Sequence, residues 1–173
     1  MRTMLRTHHG FMVKEMNNEN TQTADGKAKF QEATIAPMHT CEHIVNRTMV
    51  NMFGCGRSIS AHIERKKSKL DYRLPQALTE EEIKRVEDTV NEVISRHLPV
   101  TAEYIPIEEA AKGFDLSRLP DGASDTVRVV KVGDYDDCLC IGQHVENTSE
   151  IGTFKIISYD YADGIFRMRF KLL

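Results

Sequence analysis

Between Leu78 and Leu98 the apolar residues Ile83, Val86, Val90, Val93 and Ile94 fall on one stripe at helical spacing. Thr79 followed by Glu82 has the form of a capping box, and Pro99 stops the run, so LTEEEIKRVEDTVNEVISRHLP predicts a helix. A second helical pattern runs from His39 to about Phe53, with Ile44, Val45, Met49, Met52 and Phe53 as its apolar positions. Pro37 suits its first turn, and Gly54 and Gly56 end it. Elsewhere the period changes to two. SISAHIE (58–64) and SKLDYRL (68–74) alternate on either side of Arg65 to Lys67 and predict a hairpin, which Pro75 closes. VTAEYIPI (100–107), TVRVVKVG (126–133) and DCLCIG (137–142) read as strands, with a short helix at 108–112 and a loop at FDLSRLPDGASD. TFKIISYDY and GIFRMRFKL form a last hairpin around Ala162-Asp163-Gly164. Hairpins with two separate main helices predict an α+β fold with a mostly antiparallel sheet.

Residues 1–36 differ. NNENTQTADGKAK is polar and turn-rich, which predicts a partly flexible extension, with a short element near Val13 and its neighbouring methionines. The ordered domain is expected over 37–173. A chain of 173 residues with 40% hydrophobic and 28% charged positions is ordinary for one globular domain. No apolar run approaches bilayer length and MRTMLRTHHG lacks a signal-peptide core, so a cytoplasmic protein without membrane contact is expected. The cysteines Cys41, Cys55, Cys138 and Cys140 then read as free thiols or ligands. A net charge of −3 excludes a global basic field for nucleic acid. A local patch remains at Arg65, Lys66, Lys67 and Lys69, and Arg167, Arg169 and Lys171 alternate on the last strand; a solvated turn and a solvated strand face explain the same residues.

Two spacings carry candidate chemistry. In HTCEH, His39 and His43 lie one helical turn apart, so both imidazoles can reach one ion. In CIGQHVENTSEIG, Cys140 and His144 repeat the interval. With seven histidines and four cysteines in the chain, both pairs together arise by chance only about 0.05 times, so the combination carries the signal rather than either pair. The donor types suit zinc. Each residue also has an ordinary reading: His39 as a helix cap, His43 as a half-buried histidine, Cys140 as a small core residue. Glu42 precedes the second histidine, whereas in helical zinc proteases the glutamate follows the first, and this departure argues against a protease. Cys41 and Cys138 lie off the spacing and read as packing residues, and His62 reads as a strand surface residue.

HTCEH, SKLDY, LTEEEIKRVEDTVNEVI and VRVVKVGDYDDCLCIGQHVENTSEIGTFKI together resemble the editing domain of alanyl-tRNA synthetase and the free-standing proteins built from it, over about Pro37 to Phe170. The threonyl-tRNA synthetase editing domain has related HxxxH and CxxxH motifs, but the NTSEIG run is closer to the alanyl type. The resemblance implies helices on an antiparallel sheet and a zinc site of His39, His43, Cys140 and His144. It also implies hydrolysis of the ester that joins a wrong amino acid, serine or glycine, to the acceptor end of alanine tRNA. Thr40, Ser58 and Ser60 are candidates for contacting a serine hydroxyl, and Arg65, Lys66, Lys67 and Lys69 for meeting tRNA phosphates. These residues show no aminoacylation domain, so a full synthetase is not expected, and they lack the glycine-rich module that precedes the editing core in larger relatives and helps carry tRNA there; the intact ligand set makes a trans-acting deacylase the leading expectation. A non-catalytic zinc-stabilised binding module and a metal hydrolase of small esters are the alternatives. Oligomeric state is not assigned.

Overall fold

A computed structural model describes residues 19–117, 119 and 124–173, with backbone alone for 19–32. The expected element near Val13 lies outside the described residues, as does part of the 114–125 loop.

The elements follow as α1 (Glu19–Phe53), β1 (Ser60–His62), β2 (Ser68–Arg73), α2 (Glu80–Ser95), β3 (Val100–Pro106), α3 (Ile107–Ala110), β4 (Thr126–Val132), β5 (Asp136–Leu139), β6 (Phe154–Ala162) and β7 (Ile165–Leu172). The fold is α+β with antiparallel strands, divided between a four-stranded sheet in the order β1-β2-β7-β6 and a three-stranded sheet in the order β3-β4-β5.

α1 corrects one expectation. It begins at Glu19, so residues 19–36 are helical rather than a loop, and Pro37 lies inside the helix. Alanine, lysine, glutamine and glutamate in this stretch are good helix formers. Proline removes one backbone bond and costs roughly 3 kcal/mol in a helix interior. The buried neighbours Ala36 and Met38 hold the helix in the core on both sides of it.

α2 forms as the pattern predicts. Thr79 Oγ1 accepts from the Glu82 N–H at 3.2 Å, the Glu82 carboxylate accepts from the Thr79 N–H at 2.8 Å, and all five stripe residues are buried. The core lies where α1 and α2 meet the inner face of the four-stranded sheet. Tyr72, Phe154, Phe166, Phe170 and Met168 are fully buried there, each contributing about 1.5–3 kcal/mol. The hairpin at Asp163-Gly164 turns with both residues at positive φ, 51° and 78°.

α1 is bonded on two sides. Asn46 accepts from Ser58 N–H and Tyr72 O–H, facing β2, while Arg47 and Thr48 bond Asp136 and Tyr135 at the β4–β5 turn. The start of its buried segment therefore faces the end of β5, where the candidate residues sit.

Candidate metal centre

The two spacings converge. His39 and His43 project from α1, and Cys140 and His144 come from the segment after β5. One donor atom from each lies within 4.8 Å of every other, a group suited to hold a metal ion. Cys140 Sγ is 3.4 Å from His39 Nε2 and 3.4 Å from His144 Nε2. A tetrahedral zinc shell, with metal–nitrogen near 2.0 Å and metal–sulfur near 2.3 Å, has edges of about 3.3–3.6 Å.

Each imidazole is aimed by a partner on its other nitrogen. His39 Nδ1 lies 3.2 Å from the Gln143 carbonyl, which can only accept, so Nδ1 carries the proton and Nε2 is bare. Thr40 Oγ1 donates to the Ala36 carbonyl at 3.0 Å and accepts from the Val145 N–H at 3.2 Å; its remaining lone pair faces His144 Nδ1 at 3.0 Å. That arrangement fixes the same tautomer for His144. His43 Nδ1 is 3.4 Å from Asp136 Oδ2, an ion-pair contact too poorly aligned to be a hydrogen bond, and the buried nitrogen has no other partner. Three Nε2 atoms and one sulfur thus face a common centre, with the carbonyl, hydroxyl and carboxylate partners usual behind metal-bound histidines.

Asp136 anchors this arrangement. Its side chain is fully buried, Oδ1 accepts from Arg47 Nε at 2.9 Å and Arg57 at 2.8 Å, and Oδ2 accepts from Arg57 at 3.1 Å. Burial works to raise its carboxyl, but His43 and Arg57 outweigh it and hold the group below the ordinary range. Burial likewise opposes ionisation of Cys140, yet the imidazoles of His144, His39 and His43 pull its thiol down to about 3. Burial lowers the His43 imidazolium affinity, while Asp136 and Cys140 lift its pKa to about 9. Without an ion, the cluster keeps a thiolate beside an imidazolium. A metal cation in place of that proton satisfies the same negative charges, so the residues fit zinc.

The loop is held tightly. Arg128 donates to the carbonyls of Cys140 and Gly142, each at 2.8 Å, which ends β5 at Leu139 rather than extending the strand to 142. Gly142 has to be glycine, because a Cβ there would lie 2.2 Å from His39 Cε1. The NTSEIG run is a brace rather than part of the cluster. Asn147 and Glu150 cap a short 3-10 turn at Thr148–Glu150, and Thr148 Oγ1 donates to Ile94 O and accepts from Leu98 N–H at the end of α2. Gly152, at φ 87°, approaches the Leu173 carbonyl so closely that a Cβ would be 2.6 Å away.

Ser58 is buried, with its N–H on Asn46, while Ser60 is exposed on the edge strand β1. Arg65, Lys66 and Lys67 are exposed in the β1–β2 turn, and Lys69 pairs in register with Arg169 of β7, so the two basic stretches share one sheet. Arg167 and Arg169 are engaged by Asp71 and Asp160. His62 is exposed beside Glu64, a surface position as read. Cys41 is wholly buried, a packing residue. Asp136, Arg57, Arg128 and Glu42 were not singled out as site residues. Only the proximity of Asp136 to Cys140 in DYDDCLC hinted at the first.

A family profile described as the threonyl and alanyl tRNA synthetase second additional domain matches residues 127–169, the stretch that carries Cys140, His144 and the brace. The chain is a relative of the alanyl- and threonyl-tRNA synthetase editing-domain family. Alanine–tRNA ligase of Fervidobacterium nodosum is 40% identical over 121 residues, 69% of this chain and 14% of the ligase. The ligase of Ligilactobacillus salivarius is 34% identical over 147 residues, 84% of this chain and 17% of its own length. That of Treponema denticola is 36% identical over 132 residues, 76% and 22% respectively. The chain therefore spans 14–22% of these ligases. Among the described residues, no helix is long and apolar enough to cross a membrane.

Proposed function

We propose that the protein is a trans-acting deacylase that hydrolyses mischarged aminoacyl-tRNA, seryl or glycyl esters on alanine tRNA, at a zinc site of His39, His43, Cys140 and His144. The convergence of three imidazoles and a thiolate, in a chain related to the editing-domain family, carries this reading. When bound, zinc supplies positive charge that polarises an ester carbonyl and keeps Cys140 ionised. The chain's own groups do the rest. Gln143, Thr40 and Asp136 orient the three rings, and Arg128 fixes the loop that presents Cys140 and His144. Thr40 acts here as the support of His144. Ser58 and Ser60 are the remaining candidates for contacting a serine hydroxyl. Arg65, Lys66, Lys67 and Lys69 would meet phosphates of the acceptor end, giving binding that weakens steeply with salt. Four free cysteines suit the reducing cytoplasm.

The test is incubation with alanine tRNA charged with serine, glycine or alanine, with and without chelator. Release of serine or glycine but not alanine, lost on chelation, is expected; no release above background from any of them sinks the reading. One observation favours a second reading, a non-catalytic zinc-stabilised binding module: four protein donors fill a tetrahedral shell, as in structural sites. Full activity in zinc-depleted protein would instead remove zinc from the chemistry.

A further inference from the structure

Glu42 counted against a protease because of its place in HTCEH, yet its carboxylate lies at the cluster. One oxygen is tied down. Asn46 Nδ2 donates to Glu42 Oε1, and the amide cannot be turned over, because Asn46 Oδ1 accepts from Ser58 N–H at 2.8 Å and from Tyr72 O–H at 3.0 Å. Asn46 and Tyr72 are both buried, so this chain of bonds is fixed by the core. The other oxygen, Oε2, is 3.9 Å from His39 Nε2 and 3.9 Å from His43 Nε2. Both distances exceed a hydrogen bond, so Oε2 faces the two donor nitrogens without being bonded to either. The Glu42 side chain is 14% exposed, so solvent reaches it.

The neighbouring carboxylates are otherwise occupied. Asp136 gives its oxygens to Arg47, Arg57 and the His43 contact, and Asp137 points outward to Arg47 with its side chain 55% exposed. Glu42 is thus the carboxylate whose one oxygen is held from behind and whose other faces the donor nitrogens.

We propose that Glu42 is a catalytic residue, the proton acceptor for the hydrolytic water; this rests on the deacylase reading. Water oxygen adds to the ester carbonyl carbon while one water proton passes to Glu42 Oε2. The tetrahedral adduct collapses, the bond from carbonyl carbon to ribose oxygen breaks, and the ribose oxygen takes the proton back from Glu42. The products are the free amino acid and the uncharged tRNA terminus, and Glu42 returns as carboxylate.

The experiment compares the parent chain with Glu42→Gln on seryl-tRNA, first with water and then with hydroxylamine, a nucleophile that needs little base assistance. Glu42→Gln is expected to lower kcat by about 10²–10³-fold with KM within about threefold. Its metal content should match the parent's, and with hydroxylamine its rate above background should return to within about fivefold of the parent. Hydrolysis by Glu42→Gln within threefold of the parent overturns the proposal. So does loss of bound metal, which would make Glu42 a ligand, or an equal loss with both nucleophiles, which would make it a substrate anchor. A parent inactive on every charged tRNA brings down the deacylase reading and this inference with it, a result distinct from two active proteins.

Discussion

Replacing Asp136 with asparagine separates stability from metal binding. The carboxylate is fully buried and joined to Arg57 by two bonds and to Arg47 by one, and both arginine side chains are 28% exposed. Removing one member of a buried ion pair costs about 3–5 kcal/mol. Because both arginines can relax towards water, the low end applies, about 3 kcal/mol, or a fall in Tm of roughly 6–12 °C for a chain of this size. The metal-binding effect is separate, because Asp136 also stands behind His43 at 3.4 Å. Loss of such a supporting carboxylate weakens metal affinity about 10–100-fold. Urea unfolding of the metal-free protein measures the first quantity, and competition against a chromophoric chelator measures the second. Arg47→Leu is the control. It removes one bond to Asp136 but leaves the two from Arg57, so stability should fall by about 1–2 kcal/mol with metal affinity within about threefold. A zinc Kd for Asp136→Asn within twofold of the parent would refute the positioning argument, as would an equal affinity loss in Arg47→Leu.

Gly142→Ala places a methyl 2.2 Å from His39 Cε1 and should abolish tight metal binding with little effect on the metal-free melt, read by metal titration and calorimetry. Thr40→Val keeps the shape but leaves the Val145 N–H and His144 Nδ1 without their oxygen, so about 1–3 kcal/mol of stability should go; an unchanged urea midpoint would contradict the bonding scheme. The two Arg167 hydrogen bonds hold the Asp71 carboxyl below its ordinary 3.8. A lowered folded value contributes stability above the unfolded pKa and loses it as pH falls through the folded one. Asp71→Asn should therefore melt below the parent at pH 7, with the gap closing only below pH 3.8, as followed by thermal melts across an acid series.

Much of the fold follows from local pattern. The α2 stripe and its capping box, both hairpins and the Asp163-Gly164 turn depend on neighbours within a few residues, and such signals survive in one dimension. α1 misled because its signal is mixed: a polar run and a proline read as a loop and a helix start, whereas the packed segment after Pro37 carries the helix back to Glu19. The division into two sheets was also hidden, since β2 pairs with β7 some hundred residues later and nothing local encodes that choice.

The candidate centre divides in the same way. Donor types and their four-residue spacings are properties of the chain, so His39, His43, Cys140 and His144 were visible in it. What aims them is not. Thr40 meets His144, Asp136 meets His43 and Arg128 grips Cys140 and Gly142 only because β4 and β5 lie across α1. Glu42 shows the limit most plainly. By its order among the histidines it looked misplaced, yet Asn46, itself fixed by Ser58 and Tyr72, holds one of its oxygens and leaves the other facing His39 and His43. The sequence by itself determined which atoms can bind a cation. Only the tertiary structure decided where they point, because orientation is set by hydrogen bonds between residues far apart in the chain.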